Sequence, residues 1–495
     1  MNLDSSTLHT TVPLTTDKRK RIRSSLERVT LQFFITLSIG VFFVFSQKLT
    51  IHDWLVANHI PTSMLLSNTW HHIAVIVLAA LAVLAAPFSP LVAMSGCVLM
   101  ANGFDRYSPQ NIWNHYYGLN HTAALSVFIA CLIKLRTEKH QQTSSSPYHH
   151  YFILGYLVWI CFTEAYHALF NQDSLQFPLR TWIHALPAVA FVEILSRVRL
   201  RKWEIETFAF VMAIPLCVRR YGLGENLFGN HDVPTYAVCA IPFLILVAAH
   251  GWIFKRLLSS MLIVAMVLMI IETNNRSGFI GLVFAVTGAL MGISWKFLPA
   301  IAALVPGFFL FLKAVKPTFF ERFSDILNNG PAADTVYSRI TIYTVGLSLQ
   351  PISYLAGVGI GRFGSKLLDA RPELGSLNAH NTWLAVLTEL GALGLVFYSL
   401  IMVNSIGISY KLAQQSDKTQ RVIGLACFSA ILGFCGFSIG MARDLFLPYY
   451  IIIGIAFSRY NNTVSSTEFV STALPAGFAG KEIEQHSVGA FPQKG

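Results

Sequence analysis

Two polar residues, His380 and Asn381, stand at the head of an apolar stretch, "LNAHNTWLAVLTELGALGLVFYSLIMV", that runs from Leu377 to Val403. From Trp383 onward this stretch is long and apolar enough to cross a bilayer. Asn378 stands where an N-cap would put His380 and Asn381 in the first turn of the helix, a turn whose backbone N–H groups lack intrahelical partners. A neutral histidine at a wet membrane surface is suited to general-base chemistry, and equally to capping or hydrogen bonding. A second polar island, "IETNNRSGFIGL", places Arg276 and Ser277 in a turn between two apolar runs. Glu272, one helical turn earlier, could pair with Arg276 and make it an ordinary surface charge. The alternative is an arginine held where a lipid phosphate would sit, because the guanidinium fork binds phosphate oxygens bidentately and keeps its charge. Arg339 is a third candidate, on the segment "TVYSRITIYTVGLSLQ", which reads as an amphipathic helix with Arg339, Tyr343 and Gly346 on one stripe.

The elements that must position these residues are membrane spans. The chain of 495 residues is 54% hydrophobic and only 12% charged, about half the charged fraction of a soluble domain. Apolar runs of membrane length recur from Val29 almost to Ser458, and fourteen spans can be drawn. They lie near 29–47, 72–87, 89–104, 119–135, 151–169, 181–196, 205–218, 235–254, 257–273, 277–294, 297–314, 380–408, 422–440 and 444–459, the second and third meeting at a "PFSP" break. This predicts an all-α polytopic membrane protein of about 12–14 transmembrane helices. The division is a polar tail over 1–24, spans over 25–314, a large loop over 315–379, spans over 380–461 and a second polar tail over 462–495.

The net charge of +11 is not a nucleic-acid footprint, because its location is that of short cytoplasmic loops. Lys18 to Arg28 precede the first span, and Lys134, Arg136 and Lys139 share one gap. Arg197, Arg199, Arg201 and Lys202 fill another, and Lys255, Arg256 and Lys296 mark two more. With both termini inside, the 315–379 loop faces outward, and a loop of about 65 residues is long enough to escape the charge rule. It includes "GVGIGRFGSKLL", which has four glycines but neither a Walker lysine nor a strand–turn–helix context for a dinucleotide. The seven cysteines all fall in apolar runs and offer no CxxC pattern. There is no DxD or HExxH anywhere, so the motif set offers neither a metal nor a cofactor site. Glu164 and His167 share a helix face near the outer end of the fifth span and form a weaker second site. Glu389 lies nine residues past His380, on the opposite face of the same helix, and is not expected to partner it.

Four motifs occur in a fixed order: "NRSG" with Arg276, the outward loop with "SRITIYTVGLSLQPISYLAGVGIGRF", the "HN" pair, and "HNTWLAVLTELGALGL". Together they resemble the O-antigen ligase family, whose superfamily includes O-antigen polymerases and bacterial protein O-oligosaccharyltransferases. The resemblance covers roughly 270–400, with Asn275 where the family often has serine. It implies a many-helix membrane fold with a periplasmic helical lid, related to the C-type glycosyltransferases, in the bacterial inner membrane. It implies a donor glycan on undecaprenyl diphosphate and transfer at the periplasmic face, either to lipid A-core or to a growing polysaccharide, with a protein acceptor as a third option. Carried over, Arg276 and Arg339 would contact the diphosphate and His380 would serve the acceptor hydroxyl. Arg362, beside the glycine-rich stretch, joins the diphosphate set, with Ser277 and Asn381 in support. Such a reaction needs no metal if two arginines stabilise the leaving group, and a single displacement inverts the anomeric centre. A transporter of lipid-linked glycan is the competing class, and it predicts paired broken helices in two matching halves, for which the sequence offers no repeat.

Overall fold

The computed structural model describes, in the main, residues 77–104, 124–133, 147–170, 187–222, 232–294, 334–348, 355–372, 379–441 and 446–473. Every regular element among them is helical. In chain order these are α1 (Pro90–Phe104), α2 (Pro147–Phe170), α3 (Lys202–Cys217), α4 (Asp232–His250), α5 (Ile253–Thr273) and α6 (Arg276–Ile293). There follow α7 (Asp334–Ser348), α8 (Phe363–Ala370), α9 (Thr382–Ala413), α10 (Lys418–Ser438) and α11 (Leu447–Ala473). Six of them, α2, α4, α5, α6, α9 and α10, are long and apolar enough to cross a membrane. The protein is an all-α polytopic membrane protein.

The "PFSP" break is present as a turn before α1, and the expected spans near 89–104, 181–196 and 205–218 coincide with helices shorter than a full crossing. The expected span at 29–47 and both loops around Lys18 and Lys139 lie outside the described residues. At the other end of the chain the last helix continues to Ala473, beyond the 461 boundary drawn from polarity.

Helices that are apolar all round must be surrounded, by protein or by lipid. The helices α4 and α10 are buried along most of their length, whereas α5 leaves Ile253, Phe254, Leu257, Met261, Val264 and Leu268 exposed, as a lipid-facing helix would. Small residues let the central helices close up. A Cβ at Gly281 would lie 2.9 Å from the Gly433 carbonyl oxygen, and one at Gly433 would lie 2.8 Å from Ala285 Cβ, so α6 and α10 touch backbone to backbone. Ser429 adds a hydrogen bond from its hydroxyl to the Ala285 carbonyl.

The two helices run antiparallel. Gln414, in the turn between α9 and α10, donates to the Gly292 carbonyl at the C-terminal end of α6 (3.0 Å). At the opposite end the start of α6 meets the end of α10. The entry into α6 is built by two asparagines: Asn274 closes α5 in the left-handed conformation (φ 55°), and Asn275 caps α6 by accepting from Gly278 N at 3.2 Å.

The long helix α9 is not continuous. Gly391 has φ 71° and ψ −173°, a conformation open essentially only to glycine. The break releases carbonyls that an unbroken helix would use, and each has a new partner. Thr388 O accepts from Val358 N (2.8 Å), Glu389 O from Gly359 N (2.9 Å) and Leu390 O from the Trp159 indole (2.8 Å). The glycine-rich segment of the loop is therefore hydrogen-bonded into the helix break. A satellite core of Ile342, Val345, Phe363, Leu367, Ala379 and Ala385 joins α7 and α8 to the head of α9.

Candidate active site at the Gly440 turn

The turn that follows α10, Ile439–Met441, gathers three separate segments. From α6, Ser277 stands so close that a Cβ added at Gly440 would lie 2.2 Å from its hydroxyl oxygen. From α7, the same Cβ would lie 3.8 Å from Arg339 Nη1. From α9, the Asn381 side-chain amide donates to Ile439 O (3.2 Å) and the Thr382 hydroxyl to Met441 O (2.7 Å). Ser277 follows Arg276 in the chain and Asn381 follows His380. Ser277, Arg339 and Asn381 thus meet at one turn, and Arg276 and His380, more than a hundred positions apart, are the chain neighbours of two of them.

The local detail at His380 differs from expectation. The N-cap of α9 is Asn381, whose Oδ1 accepts from Leu384 N (3.0 Å), not Asn378. His380 is therefore outside the helix, in the left-handed region at φ 50°, directly after the buried Ala379. Asparagine and histidine tolerate this region better than most residues, and its use here turns the chain from the small core into the helix. His380, Arg276 and Arg339 are each half-buried, the exposure expected of groups that line a cleft rather than fill a core.

Glu272 does not lie with Arg276 as the spacing allowed. Its carboxylate is taken by Arg220, on the short π-helical turn Val218–Gly222, with Nε to Oε2 at 2.5 Å. That hydrogen bond, and then the carboxylate charge, raise the Arg220 guanidinium above its ordinary range.

Arg362 is separated from this group in character. It is 4% exposed, and its Nη2 donates to Glu164 Oε2 at 3.0 Å. The other Glu164 oxygen accepts from Ile360 N (2.8 Å), and His167 Nε2 lies 3.1 Å from the Gly357 carbonyl. The pair noticed as a weaker site on α2 is thus the far wall of the loop clamp. Arg362, expected in the diphosphate set, is a buried guanidinium paired with a buried carboxylate, and breaking that pair to bind a ligand would leave Glu164 an uncompensated charge.

Glu389 was set aside in the sequence because it faces away from His380, and it is the residue that reasoning missed. Its carboxylate accepts from Gly361 N (2.9 Å) and Phe363 N (3.3 Å), and it is 7% exposed. The signal for it was a carboxylate two residues before a glycine inside an apolar run, which marks a helix break with an acceptor beside it. Gly440 was not among the residues singled out from the sequence.

Residues 261–399, from within α5 to within α9, match the family model of O-antigen ligase. Through this segment the chain is similar to the O-antigen ligase family. No curated protein matches the chain. The O-antigen ligase match contains Arg276, Arg339, Arg362, His380 and Glu389, and leaves out the Gly440 turn and the α2 wall of the loop clamp. The similarity is to a family of glycosyltransferases of the ligase or polymerase type, and the helices long and apolar enough to cross a membrane fit a multi-pass protein.

Proposed function

We propose that this protein transfers a glycan from undecaprenyl diphosphate to a hydroxyl of lipid A-core, at the periplasmic face of the inner membrane and without a metal. The observation that supports it best is the assembly of Arg339, Ser277 and Asn381, with their neighbours Arg276 and His380, around the Gly440 turn. Charge supports this side of the membrane: Lys202, Lys255, Arg256, Lys411, Lys418 and Arg421 belong to the helix ends opposite the Arg276 end, as the positive-inside rule expects of a cytoplasmic face.

The diphosphate is already a good leaving group, so transfer needs charge stabilisation more than proton donation. Arg276 and Arg339 hold the diphosphate oxygens as the bond from the anomeric carbon to the phosphate oxygen breaks. His380 takes the proton from the acceptor hydroxyl as its oxygen bonds that carbon from the opposite face. The products are the inverted glycoside and undecaprenyl diphosphate. Arg362 acts through the loop and not on the phosphates. A transporter would use its broken helix to offer open carbonyls to an ion or substrate, whereas the carbonyls freed at Gly391 are occupied by the loop and by Trp159.

The test is a reconstituted assay with purified protein and undecaprenyl-diphosphate glycan. Release of undecaprenyl diphosphate only when lipid A-core is added is the expected result. Release with lipid-linked glycan alone, accompanied by longer chains, would make the protein a polymerase, and no release with either acceptor would sink the transferase reading.

A further inference from the structure

Glu389 lies away from the Gly440 cluster, yet its connections lead back to it. One carboxylate oxygen accepts from Phe363 N, the first residue of α8. The Phe363 ring in turn fills the space beside Gly346 on α7, where an added Cβ would lie 2.9 Å from the ring edge. Ile342 and Val345, on the same helix, are buried in the core that contains Phe363. Arg339 is on that helix one turn before Ile342 and Tyr343, so the place of α7 is the place of Arg339. The other carboxylate oxygen accepts from Gly361 N, two residues upstream of Phe363, so the carboxylate spans the entry to α8.

We propose that Glu389 is a positioning residue: by holding the backbone at Gly361 and Phe363 it sets α7, and through α7 it sets Arg339 against the Gly440 turn. Its two oxygens serve as paired acceptors for backbone N–H groups, a task that an ionised carboxylate performs and a carboxamide only half performs. The residue sits at the break of α9, where the loop backbone comes within reach of the helix.

The activity part of the test rests on the proposed diphosphate role of Arg339, and the structural part does not. Hydrogen exchange is measured on the purified full chain and on Glu389→Gln. Faster exchange is expected over 334–348 and 357–371, with α4 and α10 unchanged. Unchanged exchange over 334–348 overturns the inference, and so does faster exchange throughout, which would make Glu389 a residue of general stability. Phe363→Ala provides the second variant: it should loosen 334–348 while 357–361 stays protected, and loosening of neither breaks the link. Binding of undecaprenyl diphosphate then closes a double-mutant cycle. Glu389→Gln should weaken binding roughly tenfold in the native background and have no further effect in Arg339→Ala, as expected of residues acting as one unit. Additive losses overturn the inference. Absence of binding by the native protein would instead overturn the proposed donor, and the exchange measurements would still decide the role of Glu389.

Discussion

Replacing Gly391 by alanine tests whether the break in α9 is what holds the loop over the site. Two costs can be worked out. The backbone at φ 71° and ψ −173° is accessible to alanine only with strain of about 1–3 kcal/mol. The new Cβ would also stand 2.1 Å from Leu355 O and 2.4 Å from Leu355 C, against an ordinary contact of 3.4 Å or more. Neither neighbour is a side chain that can rotate away, so the loop must retreat by ~1.3 Å or the helix must straighten. Either response takes Val358 N from Thr388 O and Gly359 N from Glu389 O, at about 0.5–1.5 kcal/mol for each hydrogen bond. The sum is about 2–6 kcal/mol against the clamped loop. Because a misplacement of ~1 Å can reduce a rate by ~10²-fold, transfer should fall by about that factor. The assay is single-turnover transfer at matched protein levels in proteoliposomes. Gly407→Ala is the control on the same helix, since its Cβ would meet nothing within 4 Å, and it should leave the rate alone. A Gly391→Ala variant that transfers at the native rate would refute the account of the helix break.

Four further outcomes are expected. Arg276→Ala and Arg339→Ala should each lose transfer by about 3–4 kcal/mol in activation free energy, and lysine at either position should restore only part, because it keeps the charge without the fork; steady-state transfer rates on undecaprenyl-diphosphate glycan measure this. His380→Gln should keep undecaprenyl-diphosphate binding but slow transfer by roughly 10²–10⁴-fold, and a near-native rate would leave His380 a positioning group only. Gly440→Ala should impair transfer by pushing Ser277 away, and adding Ser277→Ala should recover much of the loss, since the remaining Ser277 Cβ is 3.2 Å from the new methyl. Arg362→Lys should spare donor affinity more than Arg276→Lys does, as read by titration with undecaprenyl diphosphate, because its partner is Glu164 rather than ligand.

The sequence by itself determined the class of the protein and the chemical types at its site. Apolar runs of bilayer length leave helices as the natural way to satisfy the backbone, and the α-helical membrane fold follows from that alone. The arginines, the histidine and the amphipathic helix over 334–348 were legible because each interrupts an apolar background and therefore needs a reason to be there. What the sequence could not fix is which interruptions meet. Arg276 and Arg362 look alike as charges near turns, but one begins α6 at the Gly440 turn and the other is closed against a carboxylate on α2. That difference arises from contacts between Arg362 and Glu164, nearly two hundred positions apart, and no local pattern encodes it. Glu389 was misjudged for the same reason. It was set aside as lying on the face away from His380, and a loop folded back into the helix break supplies the N–H groups that its carboxylate accepts from. The tertiary structure decided the site because backbone groups freed by one glycine must find partners, and only the folded chain determines which segment provides them.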